Sequence, residues 1–177
     1  MLSFLYKPQR PYQPTYRPAS VYTALRSRIL HLSPVEIEVK PSAQLPNVWG
    51  ILMEMGFPNG AATLICLAEG TTSLYYSNGG GILGCGGLEA VAKASRAFLR
   101  VAEMSAQQME FIVEYPLPRP GEVRFYALTY GGVLTREVGE RVLNRGKHPL
   151  TRLFYYGQEV LTQIRLHEEQ RARRKDG

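Results

Sequence analysis

Ala62 to Ala68 reads ATLICLA, a run whose single polar side chain is Thr63. A strand this apolar has no face to offer water, so a chain that carries it must cover it on both sides. Turn signals stand at each end, Pro58-Asn59-Gly60 before it and Glu69-Gly70 after it, with proline setting φ and glycine permitting a reversal. Trp49 to Phe57 and Thr71 to Ser77 read as flanking strands, and the short connections predict a three-stranded antiparallel meander.

The following segments keep to the same economy. Leu88 to Glu103 carries Leu88, Val91, Ala92, Ser95, Phe98, Leu99 and Ala102 at helical spacing, with charges opposite. Met109 to Tyr115 reads as a fourth strand. Glu122 to Tyr130 and Val133 to Val138 form a hairpin across Gly131-Gly132. Pro149 suits the first position of a last helix, whose stripe of Leu150, Leu153, Phe154, Gly157, Val160, Leu161 and Ile164 asks for close approach at the glycine. The predicted class is α+β: a single antiparallel sheet of meander, helix, further strands including a hairpin, and a C-terminal helix, with helices mainly on one face. This domain spans 47–166. A basic Pro/Tyr-rich arm, 1–46, precedes it, with a short helix over Ser20 to Leu32 (Val21, Leu25, Ile29 and Leu32 inward) and an edge strand over Val35 to Val39. A charged tail, 167–177, has no apolar face and is expected to fray.

Charge narrows the function classes. Of the net +6, the arm holds +4, from six basic and two acidic residues, and the body 47–166 is nearly neutral, with eleven against ten. A uniformly basic nucleic-acid face is therefore not implied. In the arm, Tyr12, Tyr16 and Arg17 are the candidate partner contacts, and their tyrosine-basic alternation also fits nucleic-acid stacking, a reading not favoured with so few charges. The only aspartate is Asp176, and the only histidines are His31, His148 and His167. A multi-histidine metal site or a Ser-His-Asp relay is disfavoured, and no cofactor is expected. Cys66 and Cys85 lack CxxC spacing and fit free thiols of a reducing, cytoplasmic compartment. No apolar run reaches the length of a membrane span. The acid-poor N-terminus shares its bias with transit peptides, but prolines at 8, 11, 14 and 18 oppose the amphipathic helix such a segment needs.

The chemically suggestive stretch is Gly79 to Gly87, six glycines in nine positions between a strand and a helix. Gly79-x-Gly81-x-x-Gly84 matches the dinucleotide fingerprint in spacing, but it closes a meander, and the next strand ends in Glu114, thirty-five residues after Gly79, where the ribose-binding acid is expected after about 20. A less specific anion site would use Ser77, Asn78, Gly79, Gly80, Gly81 and Gly84 beside the helix N-terminus, without a P-loop lysine. Cys85 just before that helix, with His148 as base, is the candidate nucleophilic pair, short of a third orienting group. The conformational reading stands beside these: a strand that turns sharply under a close-packed helix needs residues without Cβ.

The stretch WGILMEMGFPNGAATLICLAEGTTSLYYSNGGGILG resembles one in small bacterial proteins that share G-x-ATL-x-x-L-x-x-GTTSLY-x-S-x-GGG-x-x-G followed by an Ala-rich helix. The resemblance covers about Trp49 to Ala102, and HPLTRLF near the C-terminus is similar too. It implies no activity. The element order is broadly similar to roadblock, longin and profilin-type domains, although the roadblock pattern has two strands before its long helix. The expected function is a non-catalytic interaction or assembly module, with a protein partner or a second copy bound. The alternatives are a small-ligand or phosphate-binding domain or enzyme built on the glycine loop, and nucleic-acid binding through the arm.

Overall fold

The structure, a computed structural model, describes residues 12–175. Its centre is one seven-stranded antiparallel sheet of order β4-β3-β2-β1-β6-β7-β5. The strands are β1 (Val48–Phe57), β2 (Gly60–Leu67), β3 (Thr72–Tyr76), β4 (Gly81–Ile82), β5 (Glu110–Ile112), β6 (Glu122–Thr129) and β7 (Gly132–Gly139). The helices are α1 (Ser20–Leu30), α2 (Glu89–Ser105), α3 (Glu140–Asn144) and α4 (Thr151–Lys175). The ATLICLA strand is internal, and seven of the eight β2 residues are buried, as its composition demands.

Alternation along the strands divides the core in two. Ile51, Met53, Leu64, Phe125 and Ala127 face α2 and α4. Trp49, Leu52, Ile65, Tyr126 and Leu128 face the other way, where Tyr22 and Leu30 of α1 cover them. The two longer helices α2 and α4 share one face, and α1 takes the other. α2 lies over β1, β2 and β3 and packs along α4. Gly157 of α4 sits against Met53 and Phe98, where a Cβ would come within 2.5 Å of the Met53 sulfur. That close approach is the use its place in the apolar stripe anticipates.

The segment before residue 46 differs from its expected form. α1 buries Tyr22 and Leu30, whereas Val21 is half exposed. Leu25, Ile29 and Leu32 pack against the same cluster as expected, and Arg26 beside them meets Glu54. The first turn of α1 follows Ala19, whose N–H donates to the Ser77 carbonyl, and no side chain caps it. Val35 to Val39 is not an edge strand. Its amides close back locally, Glu36 to Ser33, Glu38 to Val35 and Val39 to Pro34, and Glu38 takes φ 56°. Alternation over five residues makes a strand only where a neighbouring backbone supplies the ladder, and here Ile37 and Val39 pack as a loop on the second core.

Three later elements also shift. Only Glu110–Ile112 of the expected Met109–Tyr115 strand pairs, and it pairs with β7 at the sheet edge. The β6–β7 turn is Tyr130-Gly131, with Gly132 already paired to Thr129. α4 begins at Thr151, after a turn holding Pro149, and stays helical through Lys175 rather than fraying at 167. Good helix formers and the Arg165–Glu169 and Glu168–Arg171 pairs support those last turns.

The α1 layer is fastened by a buried ion pair. Glu54, on the central strand β1, is fully buried on the α1 face. Arg26 donates Nε to one carboxylate oxygen at 2.7 Å and a terminal nitrogen to the other at 2.8 Å. Its remaining donors reach the carbonyls of Tyr115 and Pro116. Thr63 donates to Glu54 at 3.0 Å and receives the Tyr22 hydroxyl at 2.8 Å. Burial opposes the charge on Arg26, but the Glu54 carboxylate outweighs it and raises its pKa. Removing one partner of such a pair leaves an uncompensated buried charge. Arg26→Met should therefore cost roughly 3–5 kcal/mol in urea unfolding at pH 7, and Arg26→Met with Glu54→Leu should recover most of that loss.

Candidate functional site

The glycine stretch folds inward. β3 turns back on itself into β4 instead of entering a helix, pairing Leu74 with Ile82 and Tyr75 with Gly81. Ser77 is buried, and its hydroxyl accepts the Ala61 N–H at 2.8 Å. Asn78 accepts the Gly80 N–H at 2.9 Å through its side chain. The Gly79 N–H donates to the Tyr76 carbonyl, and the Gly80 carbonyl accepts the Tyr76 N–H. Gly79 lies beside Ala19 and Val21 of the α1 layer. Gly81 is pressed on the Leu74 carbonyl, where a Cβ would come within 2.6 Å. Gly84 is left-handed, φ 69°, and its N–H reaches the Ser73 hydroxyl at 3.3 Å. A Cβ at Gly86 would overlap the Gly70 carbonyl oxygen. The six candidate binding residues share one region, but the amides of Gly79, Gly80 and Gly84 are spent on the protein. The dinucleotide geometry does not arise, because a hairpin and a 3-10 turn over Cys85–Gly87 stand between β3 and α2.

The proposed nucleophilic pair is not assembled. Cys85 is buried, and burial raises its thiol pKa, with Glu168 of α4 adding to the rise. His148 precedes α4, and its Nδ1 accepts the Leu150 N–H at 3.1 Å, which orders the start of that helix. The seventeen residue-to-residue steps of helix from Thr151 to Glu168 put these two ends roughly 25 Å apart. Burial also lowers the His148 pKa, with Arg136 adding to the effect. Cys66 lies under α2 beside the Thr72–Ser95 hydroxyl pair, and burial pushes its thiol up to about 12. No group of three potential metal ligands occurs among the described residues. No helix among them is long and apolar enough to cross a membrane.

Of the arm candidates, Tyr12 and Tyr16 are half-buried and Arg17 is exposed. The Tyr16 hydroxyl is buried without a hydrogen-bond partner among the described residues, and burial raises its pKa. Tyr16 thus packs toward the Arg26–Glu54 pair rather than outward.

A surface absent from the sequence reading lies at the other end of the sheet. β5 has β7 on one side and no strand on the other. Phe111 pairs with Leu134, on the helix side of the sheet, and is 72% exposed. Its ring rests near Gly132. Val113, just beyond β5, is 89% exposed, and Met104 near the end of α2 is 55% exposed. Between the α2 end, the β6–β7 turn and β5 runs a groove of about 580 Å³, lined by Met104, Met109, Phe111, Tyr130 and Leu134 among others. Asn47 and Glu103 close one wall. Glu103 accepts the backbone N–H of Asn47 and Val48 and the Asn47 side-chain amide, at 3.1, 2.7 and 2.7 Å. A smaller cleft near the hairpin, about 340 Å³, includes Phe57, Tyr76, Ser77 and Asn78. The sequence cue to the larger groove lies in Met109, Phe111, Ile112 and Val113 of the expected fourth strand.

No family model, curated protein or solved structure matches this chain.

Close backbone approach accounts for the glycines at 81 and 86, and this sets two expectations. Gly86→Ala should lower stability by about 2 kcal/mol or more through overpacking. Gly87→Ala, where nothing lies within 4 Å of a Cβ, should change it by about 1 kcal/mol or less; thermal and urea unfolding of both variants decides. The buried Cys66 thiol gives an alkaline signature. The folded chain keeps this proton up to about pH 12, whereas the unfolded chain loses it near 9.0. The unfolded state therefore binds fewer protons between those values, and stability falls as pH rises through that window. Cys66→Ala should flatten the fall in urea titrations at pH 9 to 11.

Proposed function

We propose that this chain is a non-catalytic interaction module that receives a partner segment in the groove beside β5. The carrying observation is a groove at an open sheet edge lined by the exposed Phe111 and Met104. Scattered exposed apolar residues are ordinary, whereas a contiguous apolar surface around a concavity marks a binding face. An edge strand adds unpaired backbone groups, the template used when an extended segment joins a sheet. Methionines at positions 104 and 109 give the wall side chains that adapt to a partner's shape.

The chemistry of the groove supports binding rather than turnover. Its one carboxylate, Glu103, is engaged by two backbone amides and a side-chain amide. Neither cysteine and none of the histidines lines it. β5 is also a poor surface for simple self-pairing. In the register centred on Ile112, two antiparallel copies would set Glu110 against Glu114 twice, and like charges directly opposite destabilise a strand pair. The groove's occupant is accordingly a segment of a different protein.

A photo-crosslinking amino acid placed at Phe111, in the cells that make the protein, tests this. The expected result is an adduct of one discrete mass, lost when Met104→Glu is added. The same probe at Val35, 80% exposed on the α1 side, should give no such adduct. No adduct at position 111, or an identical pattern from both positions, would overturn the reading; an adduct of twice the chain's mass would replace the separate partner by a second copy.

A further inference from the structure

The groove does not end at Met104. On the far side of Met104 and Glu103 it continues into a cleft of about 320 Å³ between α2 and α4. Arg100 of α2 and Arg152 in the first turn of α4 line this cleft, together with Gln44 and Tyr156. The two arginines stand 52 positions apart in the chain, and only the packing of α2 along α4 brings them to one concavity. Neither enters a salt bridge among the described residues. Arg152 lies 5.6 Å over the Tyr156 ring, which holds the guanidinium in place without neutralising it. The one acid lining the cleft is Glu103, on the wall the two cavities share, and its oxygens already accept the amides of Asn47 and Val48. The cleft therefore keeps a net positive charge beside an apolar groove.

Resting on the interaction reading above, we infer that the partner segment is acidic: an apolar side chain seats against Met104, Phe111 and Leu134, and an Asp or Glu carboxylate reaches Arg100 and Arg152. Guanidinium groups present planar pairs of donors that match a carboxylate, and such charge-assisted bonds fix orientation. Two arginines give a nucleic acid too few phosphate contacts for useful affinity, whereas a single carboxylate needs no more. Charge complementarity of this kind selects partners by excluding segments with basic residues at the same place.

Selection of random peptides displayed on phage against the full chain tests the inference, with enriched peptides then synthesised and their affinities measured by fluorescence polarisation. Three proteins are compared: the unaltered chain, Met104→Glu/Phe111→Glu, and Arg100→Glu/Arg152→Glu. All four side chains are solvent-exposed, and unchanged melting curves confirm that the variants fold. Enriched peptides should pair Leu, Ile or Phe with Asp or Glu. Their affinity should drop by at least about tenfold on Arg100→Glu/Arg152→Glu, and exchanging their acids for Lys should restore binding to that variant. Peptides that need Met104 and Phe111 but carry no acids, and ignore the arginine reversal, would overturn the acidic partner and leave the groove standing. No enrichment, or enriched peptides indifferent to Met104→Glu/Phe111→Glu, would overturn both. Stronger retention of single-stranded DNA than of the peptides, with the same loss on arginine reversal, would assign the cleft to nucleic acid instead.

Discussion

Everything on the α1 side of the sheet depends on one bidentate ion pair between Arg26 and Glu54. A carboxylate at the centre of a seven-stranded sheet has no access to water, so it must find its counter-charge within the protein. Arg26 supplies that charge and also satisfies the carbonyls of Tyr115 and Pro116. One side chain thereby joins α1, the central strand and the connector after β5. A purely apolar contact would let a short helix slide or rotate on the sheet. A forked donor on a fixed carboxylate does not, and Tyr22 and Leu30, four residues to either side of Arg26, face inward with it.

That layer changes the character of the segment before the domain. Its composition is that of an extended arm, and its first described residues are indeed without regular structure. Yet Tyr22 and Leu30 belong to the same packed cluster as Trp49, Leu52 and Tyr126. The sheet is covered on both faces because β2 requires it, and the cover on one side comes from residues outside the strand-and-helix succession. The glycine stretch serves the same end. It lets β3 reverse, lets the chain pass under Gly70 and starts α2 close to the sheet. Its polar side chains complete turns, so the functional interest moves to β5, where cover is missing.

Much of the architecture was legible in local pattern. The meander, the long amphipathic helix, the β6–β7 hairpin and the last helix follow from periodicity and turn residues, because each records which faces are buried. Val35 to Val39 shows where that logic stops. Its alternation fits a strand, but alternation reports sidedness and cannot supply a neighbouring backbone. Glu54 is the complementary case. A lone acid inside VWGILMEMGF signals a buried charge, while its partner 28 residues earlier is identified only by the packing. The candidate site was the least legible part. Glycines draw attention by their spacing, whereas Met104, Phe111, Leu134, Arg100 and Arg152 are ordinary residues in separate elements.

By itself, the order of apolar and turn residues determined a single antiparallel sheet with helices mainly on one face, since those patterns are short-range records of burial. The tertiary structure alone decided which strand became the open edge, how far α2 and α4 extend over the sheet, and which charges remain without a partner. Those outcomes depend on contacts between residues tens of positions apart. β5 is exposed because β7, not its own sequence, takes it as a neighbour, and Arg100 meets Arg152 because two helices pack side by side. No local window of the chain contains that information.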